Sequence, residues 1–292
     1  MPTFRRFAVL CAGGLTLAGI GCAGTWDRVS AKKFREAPFG AMFNNDDPML
    51  VLRRSQDGND RAAAMRKLKE PKESGRPAEE QDEALQILWQ ASTLDPSPIV
   101  RTAAIDALGR FRDPRAVRLL IDSYVRADGI ESDPVKQQQA IQTVGAGKVP
   151  SEELLALSAP VGFEPAFVTT LRSRSITALA QSNSPEAVKF LAQVASSPAK
   201  VDDLNLDRDV RAAAVRGLGQ LRNKESVTAL AGIWKTESTR DVVLVQNAHE
   251  GLKNLTGKDL PADPEKWSAV VQAGVELKPE PNAIQRAFTW SK

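Results

Sequence analysis

The chain is predicted to be an all-α solenoid of about six antiparallel helix pairs, and three observations carry that expectation. A motif of the form Val-Arg-x-x-Ala-x-x-x-Leu-Gly recurs along its length. A second apolar pattern runs in phase with the first. Hydrophobic residues make up 42% of the chain but aromatic ones only 5%, a balance that suits close Ala, Leu and Val contacts between helices.

The motif is clearest where Val100-Arg101 leads to Ala104, Leu108 and Gly109, and where Val210-Arg211 leads to Ala214, Leu218 and Gly219. Leu171-Arg172 leads to Ser175, Leu179 and Ala180. An earlier copy has Asp60-Arg61, Ala64 and Leu68, and a later one has Leu244-Val245, Ala248 and Leu252. A weak copy has Ala140, Val144 and Gly145. Markers at 64, 104, 140, 175, 214 and 248 give steps of 34 to 40 residues.

Nine residues after Leu108, Leu179 and Leu218 come Val117, Val188 and Val227, followed by Leu120, Leu191 and Leu230. Between them lie Asp113-Pro114, Ser184-Pro185 and Asn223-Lys224, which end one helix and cap the next. The unit is therefore a helix pair. One pair cannot bury both its apolar faces, so neighbours must stack. Apolar spacing and turn residues predict helices at 47–54, 59–69, 80–92, 98–111, 114–127, 135–145, 151–158 and 166–181. Further helices follow at 185–197, 208–221, 224–236, 240–254 and 264–274. Loops are expected at 69–79, 126–134, 145–166 and 198–207, where Pro, Gly and charged residues gather.

This pattern resembles the HEAT-repeat family over roughly residues 47–273, with the Val-Arg start of the second helix and the Ala and Leu packing positions carried by the residues just quoted. The resemblance implies a helix–turn–helix solenoid, used as a scaffold for a protein or peptide partner. It also implies a less direct alternative, a lyase-like enzyme, since such repeats occur in bilin lyases. A structural envelope protein binding wall polymer is a third reading.

The two cysteines concern the address. Arg5 and Arg6 precede an apolar run from Phe7 to Gly21 that ends at Cys22, and the run is short for a bilayer span. Gly19-Ile20-Gly21-Cys22 resembles the lipobox of bacterial lipoproteins, although Gly19 stands where Leu, Val or Ile is usual. The resemblance implies a cell-envelope lipoprotein anchored to its membrane through lipid on Cys22. Domain boundaries follow: 1–21 signal peptide, 22–46 lipidated tether and N-terminal cap, 47–274 solenoid, 275–292 C-terminal tail. Trp26, Phe34, Phe39 and Phe43 support a cap in the second of these, because a solenoid's ends need covering. At the far end, Gly257 stops a helix, Asp263 and Pro264 start the next, and Trp267 falls on its inward face.

Charge and chemistry exclude several functions. There are 39 basic and 36 acidic residues. Without residues 1–21 the balance is 37 to 36, so no basic excess points to nucleic acid. No catalytic group, metal site or cofactor is expected. His249 is the only histidine and reads as a partly exposed helix residue. No Gly-x-Ser-x-Gly elbow or phosphate loop is present. Asp202, Asp203 and Asp207 lack the glycine turn and terminal Glu of a helix–loop–helix calcium site and read as a solvated acidic loop. Arg101, Arg172 and Arg211, with Arg61, occupy one place in four copies. They form either a ladder gripping carboxylates on a partner or braces bonding groups in neighbouring turns.

Overall fold

The computed structural model describes residues 47–128, 142–143, 162–197 and 204–279. The chain divides into two compact units, Met1–Asp47 and Pro48–Lys292. All the helices below belong to the second. The expected signal peptide and cap, the helices around Ala140 and Glu152, Asp202, Asp203 and the last residues of the tail lie outside the described residues.

Among the described residues there are eleven α-helices and no strand. They are α1 (Pro48–Arg54), α2 (Gly58–Lys67), α3 (Ala78–Thr93), α4 (Pro98–Leu108), α5 (Arg115–Val125), α6 (Pro165–Gln181), α7 (Pro185–Ser196), α8 (Leu204–Leu218), α9 (Lys224–Glu237), α10 (Val242–Thr256) and α11 (Pro264–Gln272). Side-chain caps set the starts of five of them, α2, α7, α9, α10 and α11. Asp57 accepts from the N–H groups of Asn59 and Asp60, Ser184 from Glu186, Asn223 from Glu225 and Asp241 from Val243 and Leu244. Each satisfies N–H groups that have no partner within the helix. One start differs from expectation. Helix α8 begins at Leu204, so Asp207 belongs to a helix rather than a loop. Leu206 and Val210 stand four apart, which carries the helical period of the motif back across the acidic residues.

The motif helices α2, α4, α6, α8 and α10 pack on one another in series, and α3, α5, α7, α9 and α11 form a second series behind them. The phase read from the sequence is the packing phase. Ala104, Leu108, Leu171, Leu179, Ala214, Leu218, Ala248 and Leu252 have no exposed surface. Val117, Leu120, Val188, Leu191, Val227 and Leu230 are buried as well. Ser175 stands at the marker position with its hydroxyl turned onto Leu171 O at 3.0 Å.

The glycine that closes the motif has a steric cause. A Cβ on Gly109 would sit 2.8 Å from the Ala178 Cβ, and one on Gly219 would sit 2.8 Å from the Gly251 Cα. Successive motif helices meet there through backbone against an alanine methyl at Gly109 and through backbone against backbone at Gly219.

The weak copy at Ala140 lies outside the described residues. Helix α6 packs directly against both α4 and α5, so Ala104 and Ser175 belong to adjacent units. The Phe163 N–H donates to Asp128 O at 3.1 Å, which joins the two ends of the intervening stretch. A separation of 71 residues, near twice the repeat period, made a halfway copy plausible from spacing alone.

The C-terminal end is closed by its own chain. In register, Val215 of α8 and Gly219 just after it correspond to His249 and Lys253 of α10, where no further motif helix follows among the described residues. His249 Nε2 lies 3.0 Å from Leu260 O, and Lys253 Nζ lies 2.5 Å from Asp259. The loop after Gly257 (φ 70°) thus covers the flank that a next repeat would occupy. Trp267 is fully buried beside Trp234, with ring centroids 6.4 Å apart. The segment after α11 also docks: the Lys278 N–H donates to Leu255 O at 2.7 Å, and Val275 is buried.

Candidate functional site

The four motif arginines sit near the C-terminal ends of second-series helices, where unpaired carbonyls carry partial negative charge. Arg101 has no exposed surface. Its Nη2 donates to Thr93 O at 2.6 Å, its Nε to Asp95 O at 2.9 Å and its Nη1 to Arg126 O at 3.2 Å. The Phe163 ring covers the guanidinium at 4.6 Å. One side chain therefore ties the end of α3 to the end of α5. Burial pushes this guanidinium down to about 10, against the opposing pull of Asp95. It keeps its charge at neutral pH.

Arg211 repeats the arrangement one end further on. Its Nε donates to Ala195 O of α7 at 3.0 Å and its Nη2 to Glu237 of α9 at 2.5 Å. Arg172 reaches Asp128 at 2.5 Å and lies over the Tyr124 ring at 5.5 Å. Arg61 reaches Asp95 at 2.5 Å. Of the three arginines considered as partner-binding rungs, Arg101 cannot serve: it is wholly enclosed, and carbonyls of its own chain take up its donors. Arg172 and Arg211 are partly enclosed, with side chains 20% and 12% exposed, and paired within the chain.

Next to Arg101 lies a buried polar group that its sequence context did not single out. Asp122 and Arg126 are each 4% exposed and stand one helical turn apart on α5. Burial pushes the Asp122 carboxyl up to about 6, opposed by Arg118 and Arg126. Burial also pushes Arg126 down to about 10, opposed by Asp122. The Arg118, Asp122, Arg126 spacing of four was the available signal. A second network joins the first two repeats at their turns. Glu70 accepts from Gln81 Nε2 at 2.9 Å and from the Arg112 N–H at 2.6 Å. Gln81 Nε2 lies 3.2 Å from Asp113, which accepts from Arg115.

The family of HEAT repeats matches residues 47–142 and 169–246, more than half of the chain. The chain belongs to the HEAT-repeat family. No curated protein matches it in sequence. HEAT repeats commonly mediate protein–protein interactions, so the outward surface of the array becomes the candidate site. Two places after each marker, the motif helices present Arg66, Asp106, Thr177, Arg216 and Glu250. All are exposed or half-exposed. This row alternates in sign and is interrupted by a threonine at its centre, and such a mixed surface does not match a polyanion. Among the described residues no group of three or more His, Cys, Asp or Glu side chains is placed to hold a metal ion. His249 is half-buried, as expected, and its imidazole holds the terminal loop.

Proposed function

We propose that this HEAT protein is a non-enzymatic lipoprotein of the bacterial cell envelope, carried on the membrane by lipid on Cys22, whose array holds a protein partner. The observation that carries the reading is the alternating outward row of the motif helices. It offers charges of both signs and a neutral centre to a folded or extended polypeptide, while the motif arginines brace the array from within. The sequence ending at Gly21-Cys22 supports the anchor. Acyl chains contribute ~0.8 kcal/mol per buried CH₂, so two or more hold a protein stably at a bilayer.

Two experiments test this. Cells fed labelled palmitate should label the wild type and not Cys22→Ser; equal labelling removes the anchor from the proposal. A photo-crosslinking residue at position 177 or 216 should trap a discrete protein partner, and the same residue at position 235, in the second series, should not. Crosslinks confined to position 235, or only to polymer, would refute the scaffold face.

A further inference from the structure

We infer that the turn edge joining the first two repeats is a docking surface for anionic lipid headgroups, an inference that rests on the reading that Cys22 carries lipid. Arg66 and Lys67 end α2, Lys69 follows it, and all three are exposed. Arg110 and Arg112 belong to the equivalent turn after α4, and hydrogen bonds hold the two turns together. Arg110 Nη2 donates to Met65 O at 2.7 Å, and the Arg112 N–H donates to Glu70. The Arg112 side chain is 86% exposed. Nearby acid is scarce at the surface. Glu70 is buried with its carboxylate engaged by Gln81 and Arg112. Glu73, 3.2 Å from Arg112, is the half-exposed carboxylate beside the group. Arg66, Lys67 and Lys69 form no ion pair among the described residues.

Helix C-termini favour cations, yet the array does not need them at this edge. The corresponding turn of α6 and α7, Gln181-Ser182-Asn183-Ser184, carries no charge and stacks on its neighbours with the same buried positions. The two turns of the first joint thus bring five cations together, while the turn between α8 and α9 adds Arg222 and Lys224, in a chain otherwise close to neutral. A peptide site would call for an apolar anchor. Among the described residues the exposed large hydrophobic side chains are Leu50, Ile99, Val125, Val242 and Val243, none of them in these turns. Clustered Lys and Arg without an apolar anchor suit the diffuse negative potential of a leaflet, at ~1 kcal/mol per residue near the surface. The position in the chain agrees. Only 25 residues separate Cys22 from Pro48, a reach of at most about 80–90 Å, so these repeats are the ones the anchor holds nearest in sequence. A lipid chain combined with a basic patch is also a stronger anchor than either alone.

The test uses the mature chain from residue 22 with Cys22→Ser, so that no acyl chain contributes. Flotation with vesicles of phosphatidylcholine alone, or with about 30% phosphatidylglycerol, should show binding to the anionic vesicles only, weakening as salt rises. The triple reversal Lys67→Glu, Lys69→Glu and Arg112→Glu should cut that binding by about tenfold or more with an unchanged thermal melt, since all three are exposed. Absence of wild-type binding to anionic vesicles, or equal binding by the reversal, would overturn the inference. So would patch-dependent capture of polyglutamate without vesicle binding. Palmitate labelling at Cys22 is read independently, so loss of the docking surface and loss of the anchor are separate results.

Discussion

Replacing Arg101 by alanine should be among the most damaging single changes in the array, although the residue touches no partner. The side chain donates to Thr93 O, Asp95 O and Arg126 O and is fully buried. Truncation leaves those carbonyls without a donor, at about 1–3 kcal/mol for each that water cannot reach. It also opens space beneath Phe163, whose ring lies over the guanidinium, and it leaves Asp95 with less positive charge around it. Some carbonyls will recover water through the opened space, so the expected total is about 3–5 kcal/mol. Arg101→Lys should recover little of it, because an ammonium cannot replace a planar fork serving three acceptors. Arg211→Ala should cost less, about 1–3 kcal/mol, because that side chain is partly solvated and makes two contacts. Urea unfolding followed by far-UV circular dichroism ranks the three. Solenoid stability is a sum over neighbours, so amide exchange should rise first at the ends of α3 and α5. An Arg101→Ala melt within about 0.5 kcal/mol of wild type would refute the brace.

The buried Asp122 should make stability depend on acid. Its carboxyl is raised to about 6, so the folded chain holds a proton that the unfolded chain has already lost, and this group's contribution falls as pH rises from about 4 to about 6, by roughly 1–3 kcal/mol. Asp122→Asn should flatten that slope in pH-dependent melts; an unchanged slope assigns it elsewhere. Gly219→Ala should destabilise by about 1–3 kcal/mol through contact with the Gly251 backbone, and a melt equal to wild type would show that the helices can part freely. Replacing residues 130–161 by a short Gly-Ser linker should leave the array folded, because α6 already packs on α4 and α5 and Phe163 bonds Asp128. Collapse of the cooperative melt would show that the stack needs the segment.

Most of the helix register was legible because the same few side chains repeat the same contact. Ala104, Ala214 and Ala248 are buried markers for one reason, and Leu108, Leu179, Leu218 and Leu252 for another, so one pattern read three times located the rest. Spacing alone could not show that the Ala104 and Ser175 copies are adjacent units, because a separation near twice the period leaves room for another between them; contact between α4 and α6 shows it. The role of the motif arginine was open in the sequence for a related reason. An arginine at a helix start is compatible with solvent, and its burial depends on the carbonyl ends of two helices that are distant in the chain. Gln81 and Glu70 were unreadable on the same grounds, since their partners come from other turns.

The near-neutral charge balance acquires a physical meaning once the pairs are placed. Arg53 meets Glu83 between α1 and α3, and Arg115 meets Asp82 between α5 and α3. Arg118 meets Glu186 between α5 and α7, Arg174 meets Asp106 between α6 and α4, and Arg208 meets Asp241 at the start of α10. Each pair crosses from one repeat to another. Exposed pairs of this kind contribute only about 0–1 kcal/mol apiece, so they are not what holds the stack together. Their value lies in register: an apolar flank of Ala, Leu and Val tolerates a slip of one turn better than it tolerates two unmatched charges. Neutrality is then a consequence of pairing across repeats, and a local departure from it, as at Arg66, Lys67 and Lys69, marks charge that the array itself does not need.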